Sequence, residues 1–522
     1  MGTRHREASL RRRIAAPLAA LAFVVGCTGN PPELAAADRT VVSEQVFAVG
    51  YGRIAEAYLQ PVDLRHLGTD GLKALTSIDP AVTVSRNKDT VRLYVSGTPA
   101  FVATTPKAGD AAGWASFTVR AIERARQHSA LLRATPAERI YQAVFDGAVA
   151  TLDGYSRYTG AQRATNERAQ REGYGGIGLT LAATDGRLLV TEVLPHSPAD
   201  RAGVRTGDVL LAVDDDVSVA DEATVRERLR GPAGTLVLVT VGRDGQNPRR
   251  LPIRRERVVP NTVVTTVAAH TAVIKVERFN AGTVANLREA VLSARAALGT
   301  DAYGLVLDLR GNPGGLLDQA VAVADLFIRR GRIITTEGRH PDSRQRFEAT
   351  PDDVAEGLPL VVLVDSRTAS SAEVVAAALQ DSGRAVVVGS GSYGKGSVQT
   401  VTRLPNDGEL FLTWSRIYTP AGYSLHRQGV QPMVCTSVED RPADTLVSEL
   451  RDGGAKPHAA QLASWRTLAS HDDAALARLR EACPWKEHGP ELDVDVARRL
   501  LTEPQLYQRA VGLATSSTVA AR

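Results

Sequence analysis

Two short segments of this 522-residue chain hold side chains that could form and break covalent bonds. Residues 361–373 read Val-Val-Leu-Val-Asp-Ser-Arg-Thr-Ala-Ser-Ser-Ala-Glu, an order that predicts a buried strand, a turn of small residues and a helix that begins near a serine. Residues 391–399 read Gly-Ser-Tyr-Gly-Lys-Gly-Ser-Val-Gln and place Lys395 between two glycines. A serine hydroxyl is a weak nucleophile that needs a neighbouring base. A serine of the first segment could be the nucleophile, and Lys395 could be its base.

Lysine can act as such a base because, unlike arginine, it can lose its proton. It reaches the neutral form near neutral pH only if burial lowers its pKa from about 10.4. The glycines beside Lys395 leave room for close approach. Gln399, four residues further on, could hold a neutral amine by hydrogen bonding.

A third segment, residues 307–315, reads Leu-Asp-Leu-Arg-Gly-Asn-Pro-Gly-Gly. It predicts a buried strand that ends in a glycine-rich turn before a helix. Such a turn exposes backbone N–H groups at a helix N-terminus, where an anion or a developing oxyanion is stabilised.

These three segments lie in a stretch, from about residue 272 to 434, where predicted strands and helices alternate. The strands are predicted at 272–276, 304–309, 360–364 and 386–388, and the helices at 284–298, 316–327 and 371–379. This alternation favours an α/β core, which we place at 258–435. A C-terminal helical extension is predicted at 436–522, with helical segments near 458–482 and 491–512.

In the chain that precedes this core, the predicted secondary structure changes from helices to short strands at residue 173. Helical periodicity predicts a mainly helical N-terminal region at 43–172, interrupted by a strand-like segment at 91–102. Residues 173–257 instead alternate short apolar strands with Asp-Gly and Thr-Gly-Asp turns.

Three places within 173–257 resemble a PDZ domain. Residues 175–179 resemble its carboxylate-binding loop, 197–204 its short helix, and 206–210 the turn and strand that follow. In such a loop, successive N–H groups form an anion-binding nest beside a strand edge that pairs with an extended peptide. A purely structural β-unit is the alternative. The resemblance implies that the carboxylate of a substrate's C-terminus is bound by Gly176, Ile177, Gly178 and Leu179.

The first 27 residues read as a targeting segment. Basic residues precede an apolar stretch, 14–25, that is too short to span a bilayer. The segment ends in Val-Val-Gly-Cys, which resembles the lipobox of bacterial lipoproteins and implies that Cys27 becomes a lipidated N-terminus. A tether at 28–42 would follow. An ordinary secretory signal is the alternative. We therefore expect a protein that is anchored to a membrane by lipid rather than one that spans it.

Composition argues for a globular chain of three or four domains, since 43% of residues are hydrophobic and 23% are charged. The net charge of +4 comes from scattered arginines, which disfavours a role in nucleic-acid binding. The sequence has no Gly-x-Ser-x-Gly elbow and no His-Glu-x-x-His metal motif. We therefore predict neither a metal nor another cofactor.

Taken together, the three chemical segments resemble the C-terminal processing (tail-specific) peptidase family of serine proteases. The similarity covers roughly residues 40–435 and extends to 152–158, 380–385 and 418–424. Gly154 stands where the family usually has proline. The resemblance implies a crotonase-like fold for the α/β core, and hence a multidomain α+β protein.

The resemblance also assigns roles. The nucleophile is the third residue of the family's Ser-Ala-Ser-Ala-Ser-Glu motif, which falls on Ser370, and the base falls on Lys395, 25 residues on. Gln399 would orient the lysine. Here the next two motif positions are exchanged, so Ser371 is the alternative nucleophile. Backbone N–H groups of Gly314 or Gly315 and of Ser371 would form the oxyanion hole.

We therefore expect an endopeptidase of the bacterial cell envelope, on the periplasmic side. Its substrates would be proteins with apolar C-termini, and the resemblance adds an adaptor lipoprotein as a partner. The alternatives are a catalytically silent PDZ scaffold and a signalling protease that cuts a membrane-bound regulator. Cys435 and Cys483 would form one disulfide, which suits an exported protein, or remain two buried thiols.

Overall fold

The computed structural model describes residues 36–214, 216, 221–438, 441–468, 472–485 and 490–519. The predicted signal peptide at 1–27, including Cys27, lies outside the described residues. Helix α1 (Ala36–Ala57) begins inside the predicted tether. Val42, the last residue of the predicted tether, packs against the N-terminal core. Within the described part of the chain, no helix is long and apolar enough to cross a membrane.

The N-terminal region packs helices around an aromatic core that includes Phe47, Trp114 and Phe145, each fully buried. The predicted strand at 91–102 is two strands of an antiparallel three-stranded sheet, because Ser96 and Gly97, with φ of 50° and 78°, turn the chain within it. After α1 the elements are α2 (Leu64–Lys73), β1 (Val82–Asn87), β2 (Thr90–Val95), β3 (Thr98–Thr104), α3 (Ala111–His128), α4 (Ala130–Ala134), α5 (Ala137–Val149), β4 (Arg157–Thr159) and α6 (Ala161–Glu172), with a 3-10 turn at Ala74–Ser77.

The next region is the β-rich unit predicted at 173–257. Its main sheet has five strands in the order β10-β9-β8-β7-β6, and β5 pairs separately with β11. Alternate residues of β9, from Val237 to Val241, are buried in its own small core, as the period of two predicts. The elements are β5 (Tyr174–Gly176), β6 (Leu179–Thr184), β7 (Arg187–Val193), α7 (Pro198–Arg201), β8 (Val209–Val213), α8 (Glu222–Leu229), β9 (Leu236–Gly242), β10 (Arg249–Arg254) and β11 (Glu256–Val258).

The α/β core is built on a six-stranded sheet in the order β12-β13-β14-β17-β18-β21, parallel except for the β12–β13 hairpin. Every predicted strand and helix of this core is present, with ends that differ by at most two residues. Its elements are β12 (Val263–Ala268), β13 (Thr271–Val276), α9 (Thr283–Leu298), β14 (Gly304–Asp308), α10 (Leu317–Asp325), β15 (Arg332–Gly338), β16 (Gln345–Glu348), β17 (Leu360–Val364), α11 (Ser371–Asp381), β18 (Val386–Gly389), β19 (Ser397–Arg403), β20 (Glu409–Tyr418) and β21 (Val434–Cys435), with 3-10 turns at Gly299–Asp301 and Pro341–Ser343.

A second sheet joins the core to the N-terminal region. Its strands run β16-β15-β20-β19, and β4 pairs with β20. Leu410 and Leu412 of β20 are buried in the N-terminal core, and the N–H of Leu59 donates to the carbonyl of Thr413 at 2.9 Å. The N-terminal region therefore supports the same hairpin that carries Gln399 on β19.

The C-terminal helices form a layer of the core rather than the extension predicted at 436–522. They are α12 (Ala443–Asp452), α13 (Lys456–Thr467), α14 (Asp473–Glu481), α15 (Pro490–Thr502) and α16 (Pro504–Val519). The apolar faces of α12, α13, α15 and α16 share one core with Val306, Val361 and Val388 of the central sheet, whereas Leu476 of α14 packs in the other core of the α/β unit. A fully buried ion pair of 2.6 Å between Arg466 and Asp381 fixes this layer to α11. Of the two states predicted for the cysteines, the structure has the Cys435–Cys483 disulfide.

Candidate active site

Ser370 lies in a strained turn between β17 and α11. Its φ of 56° and ψ of −118° fall in a region that a non-glycine residue enters only at a strain of roughly 1–3 kcal/mol. Asp365 holds the start of this turn, because its Oδ1 accepts hydrogen bonds from the N–H groups of Gly311 and Thr368, both at 2.9 Å. Ser370 is half-buried and lines a cavity of about 480 Å³.

The neighbouring Ser371 occupies a different environment. It is 2% exposed, and its hydroxyl donates to the carbonyl of Gly315 at 2.9 Å. A hydroxyl that is already bound to a backbone carbonyl is less available to attack a substrate. The geometry therefore favours Ser370 over Ser371 as the nucleophile.

Glu373 links the serine turn to the lysine loop. Its buried carboxylate accepts hydrogen bonds from the N–H of Ser370 at 2.7 Å, the hydroxyl of Ser392 at 2.5 Å, and the N–H groups of Gly394 at 2.6 Å and Lys395 at 2.9 Å. Burial raises the pKa of Glu373, and these four donors oppose that rise. Glu373 is not among the predicted site residues, although a glutamate three residues after a serine is the spacing of a capping box.

Lys395 lies in the loop between β18 and β19, half-buried at the same cavity. Gly396 brings the loop against its neighbours, because a Cβ there would lie 2.0 Å from the N of His426. Burial of the amine lowers the pKa of Lys395, and the charge of Arg157 lowers that pKa further. The net direction is the one a general base requires. The ring of Tyr155, whose centroid lies 5.2 Å from Nζ, covers one side of the amine.

Gln399 reaches the cavity from β19. Its Nε2 donates to the hydroxyls of Ser397 at 3.0 Å and Thr413 at 3.3 Å. The hydrogen bonds of the described residues include none between Gln399 and Lys395, and none between the hydroxyl of Ser370 and Nζ of Lys395. The three predicted catalytic residues share one cavity, and the orienting role of Gln399 stays a prediction.

In the glycine-rich turn at 311–315, the adjacent glycines Gly314 and Gly315 have different hydrogen-bonding states. The N–H of Gly314 donates to Oδ1 of buried Asn312 at 2.8 Å, so of the two glycines predicted as alternative oxyanion donors Gly314 has its N–H already engaged, and the oxyanion hole itself stays a prediction. Gly314 instead permits close approach, since a Cβ there would lie 2.8 Å from Cβ of Ser370. Among the hydrogen bonds of the described chain, none uses the N–H of Gly315 or Ser371. Those two groups are the ones available to an oxyanion.

Asn312 was not identified from the sequence. Its Nδ2 donates to the carbonyl of Val276 at 2.7 Å, while its Oδ1 holds Gly314. The turn is thus fixed from both sides by one buried amide. An Asn-Pro-Gly run is a signal for a turn, but it does not reveal which partners the amide has.

The predicted carboxylate loop lies in a second cavity, of about 720 Å³, which Ile177, Gly178 and Leu179 help to line. Gly178 has a φ of 81°, and a Cβ there would lie 2.3 Å from Cβ of Ser197, so only glycine fits. No hydrogen bond in the described structure uses the N–H of Ile177 or Gly178. Gly176 differs from the prediction, because it pairs with Glu256 of β11 and does not line the cavity.

Comparisons with known proteins agree with this geometry. The family described as peptidase family S41 matches residues 270–435, and the family described as PDZ domain matches residues 189–243. The carboxy-terminal-processing protease of Bartonella bacilliformis is 35% identical over 299 residues, which cover 56% of this chain and 69% of that protein. This chain belongs to peptidase family S41. The predicted family, the serine peptidase class and the multidomain α+β fold are therefore confirmed.

Two further relatives set the extent of the similarity. A probable CtpA-like serine protease of Staphylococcus aureus (strain N315) is 33% identical over 303 residues, which cover 57% of this chain and 60% of that protein. The chain thus spans about three fifths of that relative's length. The solved photosystem II D1 C-terminal processing protease is 26% identical and covers 75% of this chain and 92% of its own, with a TM-score of 0.37. At that TM-score the superposition adds nothing to the geometry of the site.

Proposed function

We propose that this S41 peptidase cuts proteins near their C-termini by a Ser/Lys mechanism. The observation that carries the proposal is the shared cavity. It is lined by Ser370 in its strained turn, by the half-buried Lys395, and by Gly315 and Ser371, whose N–H groups are unused among the described hydrogen bonds. A nucleophile, a base with a lowered pKa and two oxyanion donors are the parts that acyl transfer needs.

In this mechanism the neutral amine of Lys395 takes the proton of the Ser370 hydroxyl as Oγ attacks the substrate carbonyl carbon. The negative charge that develops on the carbonyl oxygen is stabilised by the N–H groups of Gly315 and Ser371 and by the N-terminus of α11. The protonated lysine then gives its proton to the leaving amine, which breaks the peptide bond and leaves an acyl ester on Ser370. A water molecule, deprotonated by Lys395, then attacks the ester carbonyl; the bond to Oγ of Ser370 breaks, the acid product leaves, and Lys395 returns the proton to the serine oxygen.

The proposal is tested by the serine pair. Ser370→Ala should abolish cleavage of a peptide substrate, whereas Ser371→Ala, which removes only the bond to Gly315, should keep measurable activity. Cleavage by Ser370→Ala together with its loss in Ser371→Ala would move the nucleophile by one residue. Cleavage by both variants would contradict the Ser/Lys mechanism.

We further propose that the PDZ domain holds the substrate's C-terminus. The free N–H groups of Ile177 and Gly178 support this, since a charge-assisted hydrogen bond contributes roughly 1.5–3 kcal/mol. An apolar peptide with a free C-terminus should bind Ser370→Ala enzyme about 10- to 100-fold more tightly than the same peptide as an amide. Fluorescence polarisation measures both affinities. Equal affinities would show that this domain does not recognise a chain end.

For localisation we propose the extracytoplasmic side of a bacterial membrane, with an anchor at Cys27. The Cys435–Cys483 disulfide supports an oxidising compartment. Cys27→Ser should move the protein from the membrane fraction to the soluble fraction. Unchanged sedimentation with membranes would contradict the lipid anchor.

A further inference from the structure

The cavity at the PDZ loop and the cavity at Ser370 meet. Gln170, Arg278 and Pro313 line both of them. A peptide whose C-terminus lay at Gly178 and whose scissile bond lay at Ser370 could therefore run through both cavities past these residues. Their side chains would then lie beside the part of the substrate between the cut and the chain end.

Arg278 is held firmly at this junction through its backbone. Its carbonyl accepts from the hydroxyl of Thr283 at 3.2 Å. The next residue, Phe279, is fully buried, donates to the carbonyl of Gly314 at 3.0 Å and accepts from the N–H of Leu316 at 2.9 Å. Arg278 is thus attached directly to the glycine-rich turn of the catalytic site, while its own side chain is exposed.

The other arginines of the two cavities are already engaged. Arg157 pairs with Glu167 at 2.9 Å, Arg171 with Glu409 at 3.1 Å, and Arg226 with Glu222. The guanidinium of Arg230 stacks on the ring of Tyr174, 4.4 Å from its centroid. Across the residues that the structure describes, no carboxylate, carbonyl or ring pairs with the guanidinium of Arg278.

The charges at the Ser370 cavity favour an acidic partner. Arg157 and Arg171 line that cavity but are paired with Glu167 and Glu409, and Glu167 is the acidic residue that lines it. Arg278 is therefore the arginine of this cavity whose charge no carboxylate of the described residues balances. Glu277 lines only the PDZ cavity, whereas Arg278 reaches both. A planar guanidinium with five donors suits a carboxylate, which it can bind through two parallel hydrogen bonds.

We propose that Arg278 is a specificity-determining residue that binds an aspartate or glutamate side chain of the substrate. The acidic residue lies in the segment between the scissile bond and the PDZ-bound C-terminus. The substrate class is then a protein tail with an acidic residue upstream of an apolar end. This inference rests on the proposed PDZ docking, and the test below separates the two.

The test uses full-length enzyme and a set of peptides with one cleavage site and one apolar C-terminus. A single glutamate is placed in turn at each position between them, and each peptide has a glutamine twin. We expect kcat/KM for the glutamate peptide to exceed that for its glutamine twin by about five- to tenfold at one or two adjacent positions. This ratio lies between the effect of an exposed ion pair and that of a charged hydrogen bond shielded from water. The ratio should fall as salt is raised.

Arg278→Gln should reduce that ratio to about one, and Arg278→Glu should reverse it. Arg288→Gln is the matched control, because this exposed arginine of α9 pairs with Asp352, away from both cavities. It should keep the wild-type ratio. Thermal unfolding of each variant shows whether the fold is retained.

Two outcomes overturn the proposal. One is a ratio near one at every position in the wild-type enzyme, and the other is a position-dependent ratio that survives in Arg278→Gln. Amidated twins of the same peptides report on docking alone. A persistent amide effect with no glutamate effect removes the role of Arg278 and leaves PDZ docking intact, whereas loss of the amide effect removes docking itself.

Discussion

The catalytic turn at 311–315 and the PDZ loop at 175–179 are both glycine-rich and both present N–H groups to a cavity, but they are held differently. The catalytic turn is fixed by buried side chains, since Asn312 holds Gly314 and Asp365 holds Gly311. Gly178 is also buried, but it is held through its carbonyl, which accepts from the N–H of Leu194 at 3.0 Å and from the hydroxyl of Ser197 at 3.2 Å, so that its own N–H stays unused among the described hydrogen bonds. Donors to a transition state must be fixed in advance, whereas donors to a chain end must stay open to it.

This difference predicts that changes near Ser370 lower kcat and that changes at the PDZ loop raise KM. The largest effect should come from the base. Lys395→Arg keeps the positive charge but cannot give up its proton, so kcat should fall by about 10²- to 10⁴-fold. Lys73→Arg, at an exposed lysine paired with Asp70, is the control and should be silent.

The pH profile tests the same residue. In the proposed mechanism the neutral amine is the active form, and the pKa of Lys395 is lowered in the folded protein. Activity should therefore be low where the amine is protonated and rise with pH through that lowered pKa, below the value of about 10.4 for a free lysine. A rising limb only near that free value would contradict the assignment of Lys395 as a buried base.

The next effect should come from Gly315→Ala. The added Cβ would lie 2.0 Å from the carbonyl oxygen of Phe279, and the residue has a φ of 148°, so the turn must move and its N–H with it. Loss of one oxyanion donor lowers kcat by about 10²- to 10³-fold. Gly109→Ala, where the Cβ meets open space, is the matched control. A change in KM alone would show that the Gly315 N–H is not a transition-state donor.

The smallest effect should come from Gly178→Ala. The strained φ of 81° and the contact with Ser197 should displace the PDZ loop. We expect KM for a protein substrate to rise by about tenfold, with kcat for a short peptide nearly unchanged. A fall in kcat for both substrates would mean that the two glycine-rich turns are coupled, and the contrast between them would be lost.

The parts of the site that depend on neighbouring residues in the chain could be predicted from the sequence. Strand β17 and helix α11 follow from an apolar run and a run of small residues, so Ser370 could be placed between them. The capping box at Glu373 is also local, but its bonds to Gly394 and Lys395 cross about 20 positions and depend on how two loops meet. Neither periodicity nor spacing contains that information.

The second sheet and the C-terminal layer were missed for a related reason. Leu410 and Leu412 of β20 are buried by the N-terminal helices, more than 250 residues away in the chain. Likewise α15 and α16 have apolar faces that are explained only by the strands they cover. The periodicity of such a segment shows that one of its faces is apolar, but it does not show which distant part of the chain packs against that face.

The C-terminal layer also sets the order in which this enzyme can become active. One face of the sheet that carries Val361 and Val388 stays bare until residues 443–519 have been synthesised, and α11 lacks its ion pair with Arg466 until then. Because a chain is made from its N-terminus, the PDZ domain can fold while the nucleophile turn is still unsupported. Under the docking proposed above, a growing chain could therefore bind a substrate's C-terminus before its nucleophile turn is supported.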